Sequence, residues 1–252
     1  MFALLTYNCM LTYDLLLKML TRVRPYEKNP GSCDAIFDKY MDKLEELIPQ
    51  HKADLESSIF KTVFSTKHLE PLADLLQEAQ REFAAVPKWK EKRPVVGLVG
   101  EFYVRLHDRA NQDVIRKLEA EGAEVWLAPM TEFFTYVNHL SKVLSKDRMK
   151  DGISFDEIKK YTASWFNEKL ASKAEHTLFE GTKQLLDGYE DIPPSEIIKN
   201  GKTYLDYNFG GEAICSMGKG DDFAKRGLAG IISVLPFNCM PGNAVSALSH
   251  SL

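Results

Sequence analysis

The chain has 252 residues, 44% of them hydrophobic and 27% charged, a balance that suits a globular protein with a sizeable core. Its 32 lysines and arginines against 36 acidic residues leave a formal charge of −4, so no basic field points to nucleic acid or an anionic membrane surface. No stretch approaches the roughly eighteen uncharged apolar residues a membrane span needs. Four cysteines (Cys9, Cys33, Cys215, Cys239) form no Cys-x-x-Cys pair, and six histidines are scattered. A self-contained zinc site is therefore not written here, and a reducing, cytoplasmic location is expected.

The opening stretch "MFALLTYNCMLTYDLLLKML" is apolar but lacks a basic n-region and runs into Asp14 and Lys18, so it reads as an amphipathic helix rather than a signal peptide. Its spacing puts Leu11, Leu15, Leu16 and Met19 on one face. "RPYEKNPGSCD" breaks that helix with two prolines and a glycine. Two further amphipathic helices follow, around "CDAIFDKYMDKLEELI" and "HLEPLADLLQEAQREFAAV", and "PKWKEKRP" is a charged connector. Residues 1–93 are thus expected to be a helical region.

The period then changes. "PVVGLVG" is a short β-branched strand of the kind buried in a parallel sheet, "NQDVIRKLEAEGA" a helix ending at Gly122, "EVWLAP" a second buried strand, and "MTEFFTYVNHLSKVLS" another helix. This alternation predicts parallel strands near Val95–Val99, Val125–Leu127 and Ile231–Leu235, with the first in the centre. A helical, charged excursion occupies about 146–210, with a break at "DIPPSE". "GGEAICSMGKGDDFAKRGLAG" returns to helix, and "GIISVLP" is the third buried strand. The second region, 94–252, is an α/β domain carrying that helical insertion.

Ligands of open parallel sheets bind outside the carboxyl ends of the strands, which singles out three loops: Gly100 to Asp113, Ala128 to Phe134 and Pro236 to Asn243. Cys239 lies in the last, between two prolines and close to a helix N-terminus that would favour a thiolate. A lone cysteine is as commonly a small core residue, which is the reading for Cys9, Cys33 and Cys215, placed on helix faces or in a surface turn. Glu101 either faces a ligand or caps the next helix. Arg105 and His107 read as solvated loop residues, and "GKG" at Gly218 to Gly220 as a helix-surface feature without the frame of a phosphate loop. No G-x-G-x-x-G opens the first helix, which disfavours a dinucleotide.

Three groups of strings carry a resemblance: "DLLLKMLTRVRPYEKNPG"; "VVGLVGEFYVR" with "NQDVIRKLEAEGAEVWLAPMTEFF"; and "GEAI", "MGKG" and "FAKRGLAGIISVLPFNCMPGNAVSAL". Together they resemble the dehydratase-like region of the large acyl-CoA dehydratase activase-related proteins. That region is similar in turn to the subunits of 2-hydroxyacyl-CoA dehydratases and benzoyl-CoA reductases. The resemblance covers nearly the whole chain, most strongly Arg24–Glu27, Val95–Phe133 and Gly211–Ala247. It implies Rossmann-like layers whose loop-end cysteines hold a [4Fe–4S] cluster near an acyl-CoA pocket. Only Cys239 falls on a motif cysteine, so the resemblance makes it the cluster ligand of this chain; Glu101, directly after the first strand, is the candidate catalytic residue by its position.

The fold expected is α/β, a helical N-terminal region followed by a small Rossmann-like parallel sheet with a helical insertion. Glu101, Tyr103, Glu132 and Cys239 are expected to line one crevice at the carboxyl edge. Related chains carry a further half with more cysteines and continue into another strand. The chain is therefore expected to be a fragment truncated at the C-terminus, cluster-free and inactive alone. Its partners would be a missing half or second subunit, an acyl-CoA, and further copies of itself. Three readings compete: an enzyme component, a non-catalytic scaffold or interaction domain, and a truncated product.

Overall fold

The computed structural model describes residues 2–57, 59–152 and 154–251. In chain order the elements are α1 (Phe2–Val23), α2 (Ser32–Ser57), α3 (Ile59–Phe64), α4 (Glu70–Ala85), β1 (Val95–Gly100), α5 (Phe102–Leu106), α6 (Asp108–Asn111), α7 (Val114–Ala120), β2 (Glu124–Leu127), α8 (Thr131–Asp151), α9 (Phe155–Glu180), α10 (Lys183–Leu186), α11 (Pro194–Gly201), α12 (Ala213–Lys225), β3 (Gly230–Val234) and α13 (Met240–Leu248). They fall into two compact units, one of Met1–Glu91 with Asn167–Glu190, the other of Lys92–Phe166 with Asp191–Leu252. Helix α9 belongs partly to each. No helix among the described residues is long and apolar enough to cross a membrane.

The first unit is helical because its apolar residues recur every three or four positions and need a common core. Leu11, Leu15, Leu16 and Met19 of α1 are buried as their spacing predicts, against Leu72, Leu76 and Phe83 of α4 and Leu178 of α9. The "RPYE" string builds the corner between α1 and α2. Arg24 pairs with Asp34 at 3.0 Å, and the Glu27 carboxylate accepts from the Gly31 and Cys33 N–H groups at 2.9 and 2.8 Å. Those donors have no partner within a helix start, so Glu27 satisfies them. Cys33 is fully buried in this core rather than sitting in a surface turn, and burial, with Glu27 beside it, pushes its thiol pKa far up.

The second unit holds the α/β layer. Its sheet has the order β2-β1-β3, with both neighbours parallel to the central β1. Val96 stands opposite Val125 on one side and Gly230 on the other. Gly122 ends α7 as the spacing predicts: its φ is +91°, and Gly122 N–H and Ala123 N–H bond back to Glu119 and Leu118 at 3.1 and 2.9 Å. Gly100 closes β1 at φ +121°, where any Cβ would fall 2.0 Å from the Val234 carbonyl oxygen.

Two expectations change. The segment after β1 is not an open loop but the short helices α5 and α6, each started by a side chain: Glu101 accepts from Val104 N–H at 2.7 Å and His107 from Ala110 N–H at 3.2 Å. And β3 is not buried like its partners. Every residue of β2 is buried, whereas every residue of β3 is half-exposed.

Candidate functional site

Because the strands are parallel, the segments leaving β1, β2 and β3 emerge at one edge of the sheet. Glu101 follows β1 directly, its own N–H bonded to Val234 of β3 at 2.9 Å and its carboxylate capping α5. One turn later Arg105 points inward. It is 1% exposed, donates to Gly100 O at 3.3 Å and to Pro129 O at 2.7 Å, and lies over the Phe102 ring. Arg105 is therefore no solvated loop residue: it ties the ends of β1 and β2 together. Glu132, in the first turn of α8 where the helix dipole favours a negative charge, stands 4.0 Å from it and is equally buried.

Cys239 is the N-cap of α13, half-buried, with Met240 and Pro241 beginning the helix. Its thiol donates to Glu212 Oε1 at 3.7 Å, and its carbonyl accepts from Asn243 N–H at 2.8 Å. Glu212 precedes α12, whose start lies against α13: a Cβ on Gly211 would meet the Pro241 ring at 2.9 Å. Tyr136 donates to Gly211 O at 3.0 Å. Phe237 and Met240, on either side of Cys239, are turned to solvent.

Helix α12 brings two residues that the sequence reading set aside. Cys215 is buried among Tyr136, Ile197, Ile198 and Ile214. Burial first, and then the Glu132 carboxylate, raise its thiol pKa well above the ordinary value, with Arg105 opposing. Lys219 has no exposed surface, so "GKG" is not a helix-surface feature. Its ammonium is 2.7 Å from Asp191 and 3.8 Å from Asp222, beside the faces of Phe223 and Trp126. Helix α12 is buried from Ala213 through Phe223, so it has no polar face by which periodicity could have placed Lys219. The one local signal is Asp222, three residues on, within reach on the same face.

The four residues expected in one crevice are held differently. Glu101 caps α5, Tyr103 is 62% exposed against the His107 ring, Glu132 is buried beside Arg105, and Cys239 contacts Glu212. Helix α5 separates Tyr103 from Arg105, since residues two apart on a helix point apart. Glu132 is thus buried with Arg105 and Tyr103 faces solvent, while Glu101 and Cys239 both follow strand ends at the carboxyl edge.

No family model, no curated protein and no solved structure matches the chain. A [4Fe–4S] cluster needs four converging soft ligands. Among the described residues no three His, Cys, Asp or Glu side chains are grouped to hold a metal ion, and Cys9, Cys33 and Cys215 have thiols that burial keeps protonated. The donors of this chain do not fit a whole cluster. Cys239 alone fits the part of a single ligand.

Proposed function

We propose that the chain is one component of a 2-hydroxyacyl-CoA dehydratase- and benzoyl-CoA reductase-like assembly of the activase-related type. In that assembly Cys239 supplies one thiolate to a [4Fe–4S] cluster, and a partner subunit supplies the rest. The observation that carries this reading is the place of Cys239: a half-buried thiol at the carboxyl edge of a parallel sheet, N-capping α13 and outside any disulfide. Glu212 Oε1, in contact with the thiol, is placed to take its proton as a metal binds, since ligation requires the thiolate. When bound, the cluster would supply one-electron transfer. Glu101, which keeps Oε2 on the Val104 N–H, offers its other oxygen to an acyl-CoA substrate as the candidate catalytic residue. A reducing, cytoplasmic setting belongs to the same reading.

The test is co-expression without oxygen with the partner that carries the remaining cysteines, followed by iron and sulfide analysis. The complex should bind both, lose them with Cys239→Ser, and keep them with Cys9→Ser, Cys33→Ser and Cys215→Ser. Serine preserves size but is a poor soft-metal ligand. Equal loss in all four variants would report unfolding. A complex that binds no iron would leave the second reading, an interaction domain without a cluster, which the exposed Phe237 and Met240 favour, and iron retained by Cys239→Ser would overturn Cys239 as a ligand.

A further inference from the structure

Over about its first three turns, the part that lies in the second unit, helix α9 is inverted. An amphipathic helix ordinarily turns its apolar stripe to the core. Here the polar side packs inward, on α8. Asn138 of α8 donates to Ser164 O at 2.8 Å, Arg148 stands 3.5 Å from the Glu157 carboxylate, and the Ser145 hydroxyl bonds to Glu157 as well. Ser145 and Ser164 are both buried. The apolar side points away. Phe155, Ile158, Trp165 and Phe166 are all exposed, Phe155 at 80% and Trp165 at 49%. With Thr162, also exposed, they recur every three or four residues, so they form one stripe along the helix.

Size and charge say what such a stripe is for. Exposed apolar residues scattered singly are ordinary surface, whereas a contiguous patch marks an interaction site. At ~150–250 Å² for a whole aromatic side chain, the exposed parts of these four amount to roughly 400 Å², within the ~300–600 Å² of a monomer's largest patch. Lys159, four residues after Phe155 and so its neighbour on the helix surface, is exposed along one border, whereas Lys160 turns back to Glu157 at 2.9 Å. Asp156 lies a step further round, in the first turn, where the helix dipole already offsets its charge. The border of the stripe is thus cationic. Its middle falls between Lys160 and Tyr161. A second copy packed antiparallel on it would bring the two Lys159 to the same side of the contact, within about one helical turn, ~5 Å, of each other along the axis. Like charges that close oppose self-pairing and favour a partner that brings carboxylates.

We propose that the exposed stripe of α9 docks an acidic amphipathic helix of another protein, one whose apolar residues repeat at i, i+3, i+4 and i+7 and whose flank carries carboxylates. Trp165 and the two phenylalanines are its anchors, since aromatic side chains supply most of the energy of such contacts. Lys159 pairs with the partner's carboxylates and sets which way the helix lies. A patch of this size makes a transient contact rather than a permanent one. The surface uses neither Cys239 nor a cluster, and it stands or falls apart from the assembly reading.

The test uses the isotopically labelled full chain and two synthetic helical peptides with the same leucine stripe, one with glutamates on its flanks and one with lysines in their place. In amide NMR the glutamate peptide should shift the signals of residues 155–166 saturably at concentrations up to about 1 mM, and the lysine peptide should bind several-fold more weakly. Trp165→Ser should weaken the glutamate peptide about tenfold or more, the loss expected of an aromatic anchor. Lys159→Glu should reverse the preference between the peptides, which a loss of structure would not do. If Trp165→Ser disturbs the circular dichroism, Lys159→Glu carries the comparison. No saturable shift, equal binding of the two peptides, or a preference that Lys159→Glu leaves in place would each overturn the proposal. So would shifts of the same signals that follow the concentration of the chain without peptide, because they would put a second copy on the stripe.

Discussion

Lys219 keeps its charge with no surface in contact with water. Burial alone would strip the proton, but the carboxylates of Asp191, Glu132 and Asp222 outweigh it and raise the pKa above the ordinary lysine value. Removing the ammonium leaves the Asp191 carboxylate at the surface, where water takes over, while Glu132 and Asp222 keep Arg105 and Arg226 beside them. Lys219→Met is expected to lower stability by about 1–3 kcal/mol in urea unfolding followed by tryptophan fluorescence. Lys225→Met, one to two turns away on the same helix but exposed, should change it by less than about 1 kcal/mol. The helical unit holds a second buried polar group. Asn8 Nδ2 donates to His51 Nε2 at 3.1 Å, so His51 Nδ1–H donates to the His68 carbonyl at 3.0 Å and the ring is neutral. Burial holds both histidines below the usual 6.5, His68 at about 4 with His51 and Lys173 adding to the effect. The unfolded chain therefore binds protons at a pH where the folded chain does not. The stability this brings is complete above about 6.5 and is lost as pH falls towards 4. Melting curves at pH 7 and pH 5 should show a drop that shrinks in His68→Gln; an unchanged drop would contradict the assignment.

Between elements, α11 and α12 approach each other closely. A Cβ on Gly218 would lie 2.0 Å from Ile197 O, and one on Gly201 would lie 2.4 Å from Ile214 O, so each helix uses a glycine where the other's backbone passes. Alanine is the better helix former by about 0.8–1 kcal/mol. Gly218→Ala is nevertheless expected to destabilise by about 1–3 kcal/mol, because the obstacle is backbone, which cannot swing aside. Gly230→Ala, where a Cβ meets open space, should stay within about 0.5 kcal/mol. Equal effects from the two variants would mean that the helix contact gives way. The same scale explains the segment after β1. Glu101 and His107 lie where a side chain can cap the N–H groups that follow, and those caps turn an apparent loop into α5 and α6.

At the scale of the molecule, the two edges of the sheet differ. β2 is buried throughout, while β3 is half-exposed throughout. From Gly227 to Leu252 the sequence contains no Asp, Glu, Lys or Arg. Edge strands are commonly protected by such charges, because unpaired N–H and C=O groups pair readily with another strand. Concentration-dependent self-association is therefore expected in sedimentation velocity, and Ile232→Lys should shift the chain towards monomer while keeping its circular dichroism. A single monomer boundary at every concentration would count against the exposed edge as an interface.

What the sequence determined by itself was local. Short β-branched runs, the apolar repeat of α1 and a glycine at the end of α7 each express a preference settled within a few residues, and all reappear in the structure. What the tertiary structure decided was which charges go inside. Arg105 is buried because Pro129, 24 residues on, accepts its guanidinium, and Lys219 because Asp191, 28 residues earlier, meets its ammonium. Cys33, by contrast, needed no partner of opposite charge, only the core of α1, α2 and α4 closing over a turn that looked like surface. A charged side chain enters the interior when a distant group compensates the loss of water, and distance along the chain conceals that group until the chain has folded.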